Sequence, residues 1–225
     1  MRGRFRVPEN FSVARARVAQ RKIAAKVLEE DAIKWPLRYV AGVDVAYRGN
    51  VAFAAAVVVE TGSLKLVDSA VVRKEVSFPY IPTLLAFREV YPAWAALKAL
   101  SVGYELLLVD GNGRLHPFKA GFACHLGVIV DKPTIGVAKK LLCGRVGSWR
   151  GNTAPVYVNG EILGLAVLTR RGSKPIYVSI GHKVSLRTAA RLVISLVKRG
   201  AKLPEPLRLA HKLATAEARR FGDVA

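Results

Sequence analysis

The sequence predicts an α/β fold in which a central mixed sheet is flanked by helices. Three observations carry this. Residues 39–73 hold three apolar runs separated by hairpin-type turns. Residues 105–138 hold two short apolar runs with a helical segment between them. Pro8–Glu30, Thr83–Leu100, Leu186–Arg199 and Pro204–Arg220 show helical apolar spacing. An antiparallel meander followed by strand–helix–strand requires both strand directions in one sheet. With 225 residues, 52% of them apolar, and neither repeats nor a long linker, the chain is expected to form one domain over 1–225.

Pro8 to Glu30 reads as a helix. Val13, Val18, Ile23, Ala24 and Val27 form its apolar stripe, beside Arg15, Arg17, Arg21, Lys22 and Lys26. That basic side is either a phosphate-contacting or a solvated face. Trp35-Pro36 ends the segment. Strands follow at Tyr39–Ala46, Val51–Val59 and Leu64–Arg73, joined by Arg48-Gly49-Asn50 and Thr61-Gly62-Ser63. Phe78-Pro79-Tyr80-Ile81-Pro82 is stiffened by its prolines. Thr83 to Leu100 is helical, its buried side marked by Leu84, Leu85, Phe87, Tyr91, Trp94 and Leu97. A strand over Glu105–Val109 runs into Asp110-Gly111-Asn112-Gly113. A helix from about Lys119 to His125 is capped by Gly127, and Thr134–Ala138 is the next strand. Cys143 to Thr153 is a Gly-rich basic loop. Residues 156–168 form a hairpin about Asn159-Gly160, and Ile176–Ile180 is a strand ended by Gly181-His182. Leu186–Arg199 and Pro204–Arg220 are helices, the second carrying His211.

The charge narrows the function. There are 36 Lys and Arg against 16 Asp and Glu, a net charge of +20, and such a chain is expected to meet a polyanion. The distribution says more. Residues 1–40 hold ten basic and four acidic side chains, residues 139–225 seventeen and four, and residues 41–138 nine and eight. A carboxylate-rich middle between basic flanks is what a metal-dependent nuclease needs. The longest apolar run, Val51 to Val59, is too short to cross a bilayer, and the N-terminus lacks the apolar stretch of a secretory signal, so no membrane partner is expected. Cys124 and Cys143 match no zinc spacing and read as reduced thiols of a cytoplasmic protein. One Gln, one Met and two Cys fit a chain selected in a thermophile.

Two carboxylates stand out. Asp44 lies in the middle of an apolar strand, where an ionised group needs a cation or an ion-pair partner. Asp110 ends a buried strand, at the sheet edge where open α/β folds place their ligands. Arg114, His116, Lys119, His125, Asp131 and Lys139-Lys140 surround it in sequence. Glu89, in the second turn of its helix, is either an exposed side chain or aimed over the sheet edge toward Asp44 and Asp110. The element order is that of a ribonuclease H-like fold, in which Asp44 and Asp110 face each other and can share Mg²⁺ or Mn²⁺.

The motifs GVDVAY at 42–47, PYIPTLLAFRE at 79–89, VDGNGRLHP at 109–117, HLGV at 125–128, PTIGVAK at 133–139 and RLAH at 208–211 resemble those of endonuclease V, in the same order and through most of the chain. The resemblance implies a ribonuclease H-like nuclease that uses Mg²⁺, with Mn²⁺ as substitute. Its substrate would be DNA containing deoxyinosine, or inosine RNA, cut by a monomer at the second phosphodiester 3′ of the lesion to leave 3′-hydroxyl and 5′-phosphate ends. By motif match it implies Asp44, Asp110 and Glu89 as metal ligands, with Lys139 and His211 beside the attacked phosphate. Tyr80, Ile81 and Pro82 would wedge into the gap left by an extruded base, and Leu85, Gly113, His116, Gly121 and Leu142 would bind the substrate. Thr83, Asn112 and Phe118 depart from common family residues. Two other readings are a non-catalytic basic nucleic-acid-binding module and a different ribonuclease H-like nuclease.

Overall fold

The computed structural model describes residues 11–223; Pro8 to Asn10, assigned above to the first helix, lie outside them. The elements are α1 (Val13–Lys26), β1 (Tyr39–Arg48), β2 (Val51–Glu60), β3 (Leu66–Glu75), α2 (Ala86–Lys98), β4 (Leu106–Asp110), α3 (Phe122–Val130), β5 (Thr134–Ala138), β6 (Arg145–Val146), β7 (Thr153–Val158), β8 (Glu161–Val167), β9 (Ile176–His182), α4 (Leu186–Ser195) and α5 (Glu205–Asp223). All the strands join one sheet in the order β3-β2-β1-β4-β5-β9-β8-β7-β6. β1, β4 and β5 run parallel, and the remaining pairs are antiparallel. This is the expected mixed sheet, with the meander and the strand–helix–strand unit meeting along β1 and β4.

Strand periodicity sorts the core into two layers. Ala41, Val43, Leu107 and Val109 face α2 and α3. Val40, Leu106, Leu108, Ile135 and Val137 face α4 and α5. Asp44, Asp110 and Lys139 continue this second set by steps of two, so all three belong to the α5 side. Gly42 decides how near α5 comes. A Cβ there would lie 2.5 Å from the Pro206 carbonyl carbon and oxygen. Bare backbone at Gly42 therefore lets the first turn of α5 rest on β1, and His211, about a turn and a half further on, comes down over Asp44.

Several local readings change. The buried side of α1, which packs on α3, is Ala16 and Gln20, while Val13 and Val18 are exposed. On α2 the buried side is Ala86, Arg88, Glu89, Pro92, Ala93, Ala96 and Leu97. Tyr91 and Trp94 point outward and stack on each other at 6.4 Å. The sheet beneath α2 presents Ala41, Ala54 and Ala56, and alanine on alanine brings the helix too close for aromatic rings. Gly127 lies inside α3, against His182 and Thr134, and the left-handed C-cap is Asp131. Gly181 and His182 continue β9. The basic loop after β5 contains β6, which pairs with β7.

Gly42→Ala is expected to push α5 off β1, at a cost at the upper end of the roughly 1–3 kcal/mol typical of overpacking, and to part His211 from Asp44. Thermal unfolding and a structure of the variant check this. His125 supplies a second test. It is buried against the Phe87 ring at 5.3 Å, and burial holds its pKa at about 4. A neutral imidazole favoured by the folded state gives stability that is complete above about pH 6.5 and lost as pH falls toward 4. His125→Leu should flatten the acid limb of a urea stability–pH profile by roughly 3 kcal/mol over that window.

Candidate active site

Parallel pairing of β1 and β4 sets Val43 opposite Val109, so the next residues on each strand, Asp44 and Asp110, emerge side by side on one face. The sheet's interior hydrogen bonds fix this juxtaposition. Ligand atoms of Asp44, Asp110 and His211 lie within 4.8 Å of one another. His211 Nδ1 stands 2.6 Å from Asp44 Oδ2, and Lys139 Nζ donates to Asp110 Oδ2 at 2.5 Å. Lys139 Nζ and His211 Nδ1 are 3.4 Å apart, so the two bases close the cluster from the α5 side. The Val45 amide donates to Asp44 Oδ1 at 2.8 Å, which orients that carboxylate.

Glu89 reaches the same edge from the opposite layer. It is buried, and burial together with the Asp44 and Asp110 charges drives its carboxyl well above the usual range. Asp110 is raised too, first by burial and then by Asp44, with Lys139 and His211 pulling the other way. Three carboxylates crowding one edge, two of them holding protons more tightly than usual, is the electrostatic signature of a site that lacks positive charge. Two carboxylates and an imidazole whose ligand atoms converge in this way fit a divalent cation that accepts oxygen and nitrogen ligands. Glu89 does not share the cluster of ligand atoms, and it bears on the site through its charge.

A second feature adjoins the first. Tyr80, Leu85, His116, Gly121 and Leu142 line a small cavity together with Gln20, Thr83 and Asn112. Tyr80 stands at its mouth, 70% exposed. The Asn112 Oδ1 is buried without a hydrogen-bond partner in the cavity wall. Burial holds His116 at about pKa 4, so its ring is neutral. Its Nδ1 accepts from the Phe118 amide at 3.2 Å, which leaves the hydrogen on Nε2, 3.1 Å from the Thr83 carbonyl. Asn112 follows Asp110 by two residues, so the cavity wall and the carboxylate cluster lie within about 7 Å along the chain.

Other expected residues stand elsewhere. Gly113 does not line the cavity: its amide donates to Ser179 Oγ, and a Cβ there would strike the Ile180 carbonyl. Ile81 and Pro82 lie on the outer turn. Of the basic residues near Asp110 in sequence, Arg114 pairs with Glu29 at 2.6 Å and Lys119 with Glu161, while His125 is in the core. Asp131 binds Lys183, beside the open groove formed with Tyr104, Glu105 and Pro133 at the far ends of β4 and β5. Gln20 and Asn112 were not expected in the cavity. Gln20 left one sequence signal: it is the chain's single Gln, three and four residues after Arg17 and Ala16 on a basic helix.

Comparison with known proteins extends this. A family model described as Endonuclease V matches residues 21–212. The Endonuclease V of Thermofilum pendens is 66% identical over 214 residues, spanning 95% of this chain and 92% of that protein. The crystal structure of Endonuclease V from Streptomyces avermitilis superposes with a TM-score of 0.87 at 37% identity, covering 97% of this chain and 99% of the other. The Ciona intestinalis Endonuclease V, solved in complex with a 24mer DNA containing an inosine followed by a ribo-adenosine, gives 0.83 at 32% identity over 93% and 98%. The chain belongs to the endonuclease V family and carries its nuclease fold.

Proposed function

We propose that this protein is a DNA-repair endonuclease that takes an inosine base into the Tyr80 cavity and hydrolyses the strand beside it, with Mg²⁺ held by Asp44 and Asp110. The observation that carries this reading is the adjacency of a carboxylate–histidine cluster to a cavity with an unpaired buried acceptor. Hypoxanthine bears a hydrogen on N1 where adenine does not, and the unpaired Asn112 Oδ1 is the acceptor this reading assigns to it. Extruding a base costs a few kcal/mol, less at a mispair. Tyr80 then stacks in the vacated space, worth about 1–3 kcal/mol.

Bound Mg²⁺ supplies positive charge for the phosphoryl oxygens and acidifies water. The chain's own groups do the rest. Lys139 opposes the upward shift of the Asp110 carboxyl and presents a fixed charge toward the phosphate. His211, held by Asp44 through Nδ1, has Nε2 free to exchange a proton. Glu89 adds negative potential that favours cation binding. The short path from Asp110 to Asn112 supports cleavage within a nucleotide or two of the recognised base. The family's cut, at the second phosphodiester 3′ of the lesion with 3′-hydroxyl and 5′-phosphate ends, fits that span. Every residue named comes from one chain, so a monomer suffices. No helix among the described residues is long and apolar enough to cross a membrane. The free thiols of Cys124 and Cys143 support a cytoplasmic enzyme.

The test is nicking of single- and double-stranded inosine DNA and RNA, with hybrids and junctions as controls. Inosine DNA should be cut with Mg²⁺ and spared with EDTA. Equal cutting of inosine-free hybrids would favour a different ribonuclease H-like nuclease. Asp44→Asn and Asp110→Asn should abolish nicking while keeping inosine-DNA binding. Without Mg²⁺, Asp44→Asn should melt a few degrees higher, the shift that about 1 kcal/mol of relieved repulsion gives in a chain this size. Full activity in either variant removes that residue from the mechanism.

Tyr80→Ala gives a separate result. An exposed ring does not carry the roughly 3–5 kcal/mol cost of a deleted core aromatic, so stability should change by under about 1 kcal/mol. Discrimination between inosine and adenine strands should fall, and Tyr80→Phe should retain it because stacking needs only the ring. A large loss of melting temperature with unchanged discrimination would assign Tyr80 to packing.

A further inference from the structure

The turn that carries Tyr80 is held from α1. Thr83 has φ 68°, in the left-handed region that a β-branched residue seldom adopts. Its carbonyl accepts from Gln20 Nε2 at 2.7 Å, His116 Nε2 at 3.1 Å and Arg17 Nη1 at 3.4 Å. Its hydroxyl accepts from Arg17 Nη2 at 2.6 Å and donates to the Pro82 carbonyl. Arg17 Nη1 also donates to Gln20 Oε1 at 2.7 Å, which fixes which end of the Gln20 amide faces Thr83. The Arg17 guanidinium lies over the Phe118 ring at 4.1 Å. Gln20 is fully buried and forms part of the cavity wall.

A buried, singly occurring Gln and a stacked Arg spend their donors on one strained peptide between Tyr80 and Leu85. That peptide sets the wedge on one side and the cavity wall on the other. We propose that Arg17 and Gln20 are positioning residues for base recognition: they lock the Thr83 peptide, and through it set selectivity for a 6-oxopurine over adenine. The proposal rests on reading the cavity as the base pocket. It also explains Thr83 and Phe118 together: a glycine at 83 would need no clamp, and Phe118 is the platform that holds the clamp's guanidinium flat.

The test is steady-state nicking of matched inosine and adenine strands by the full chain, with Mg²⁺ present. Gln20→Leu keeps the side-chain bulk and removes the donor. It should raise KM for the inosine strand and cut the inosine-to-adenine ratio by about tenfold, the size of one hydrogen bond to a buried acceptor, with kcat nearly unchanged. Thr83→Gly in the Gln20→Leu background should restore the ratio, since glycine holds φ 68° unaided. If Gln20→Leu folds poorly, Arg17→Met, at a partly exposed position, should show the same KM shift and the same rescue. Wild-type protein that cuts both strands equally ends the base-pocket reading. Wild-type selectivity that persists in folded Gln20→Leu and Arg17→Met ends this proposal, as does a fall in kcat without a change in KM or selectivity.

Discussion

The active edge is built on a repulsion that the fold imposes. Parallel pairing of β1 with β4 leaves Asp44 and Asp110 no choice but to leave the sheet together, and α2 adds Glu89 from the other layer. Their own interactions oppose this arrangement; backbone hydrogen bonds and the close seat of α5 on Gly42 sustain it. Lys139 neutralises part of the charge, His211 hydrogen-bonds Asp44, and the remainder is open to a cation. A site held this way is preformed, so a cation entering it would require little reorganisation. Stability is given up at the place where function needs the charge.

The recognition side is organised differently. Its turn is anchored at both ends rather than paired in a sheet. At the start, Arg88 donates to the Phe78 carbonyl and lies 4.4 Å over the Tyr47 ring at the end of β1. Phe78 packs edge-on to Phe11 and stacked on Phe87, which in turn meets His125 of α3. At the far end, Thr83 is bound to α1 and His116. Between these anchors Tyr80 remains exposed. An aromatic side chain left in water on so firmly tied a turn is what the proposed wedge requires.

The sheet and the carboxylate pair could be read from sequence because their determinants are local. Alternation, Gly- and Asn-containing turns and a strand ending in Asp lie within a few residues of one another, and the meander makes the parallel partner of Tyr39–Ala46 nearly unavoidable. The buried faces of α1 and α2 could not be read so. Which side of a helix is buried depends on what covers it, and under α2 the alanines of the sheet keep the aromatic rings outside. Arg114 and Lys119 surround Asp110 in sequence, yet their carboxylate partners, Glu29 and Glu161, are distant in sequence and could not be read there. The cavity was half legible. Tyr80, Leu85, His116, Gly121 and Leu142 followed from the family motifs, whereas Gln20 and Arg17 belong to a helix whose pattern announces only charge.

The uneven charge along the chain acquires a spatial meaning through these contacts. Both basic flanks fold back on the acidic middle third, α1 through Gln20 and Arg17 and the C-terminal region through His211 on α5. Charges beyond about 8 Å are largely screened at physiological ionic strength, so a net charge of +20 does little to hold Asp44, Asp110 and Glu89 together. That task falls to Lys139 and His211, which touch them. The remaining Lys and Arg side chains act at longer range, on a polyanion approaching from outside. The chain thus separates two uses of positive charge: a few fixed contacts that make a carboxylate cluster tolerable, and a diffuse surplus that brings nucleic acid to it.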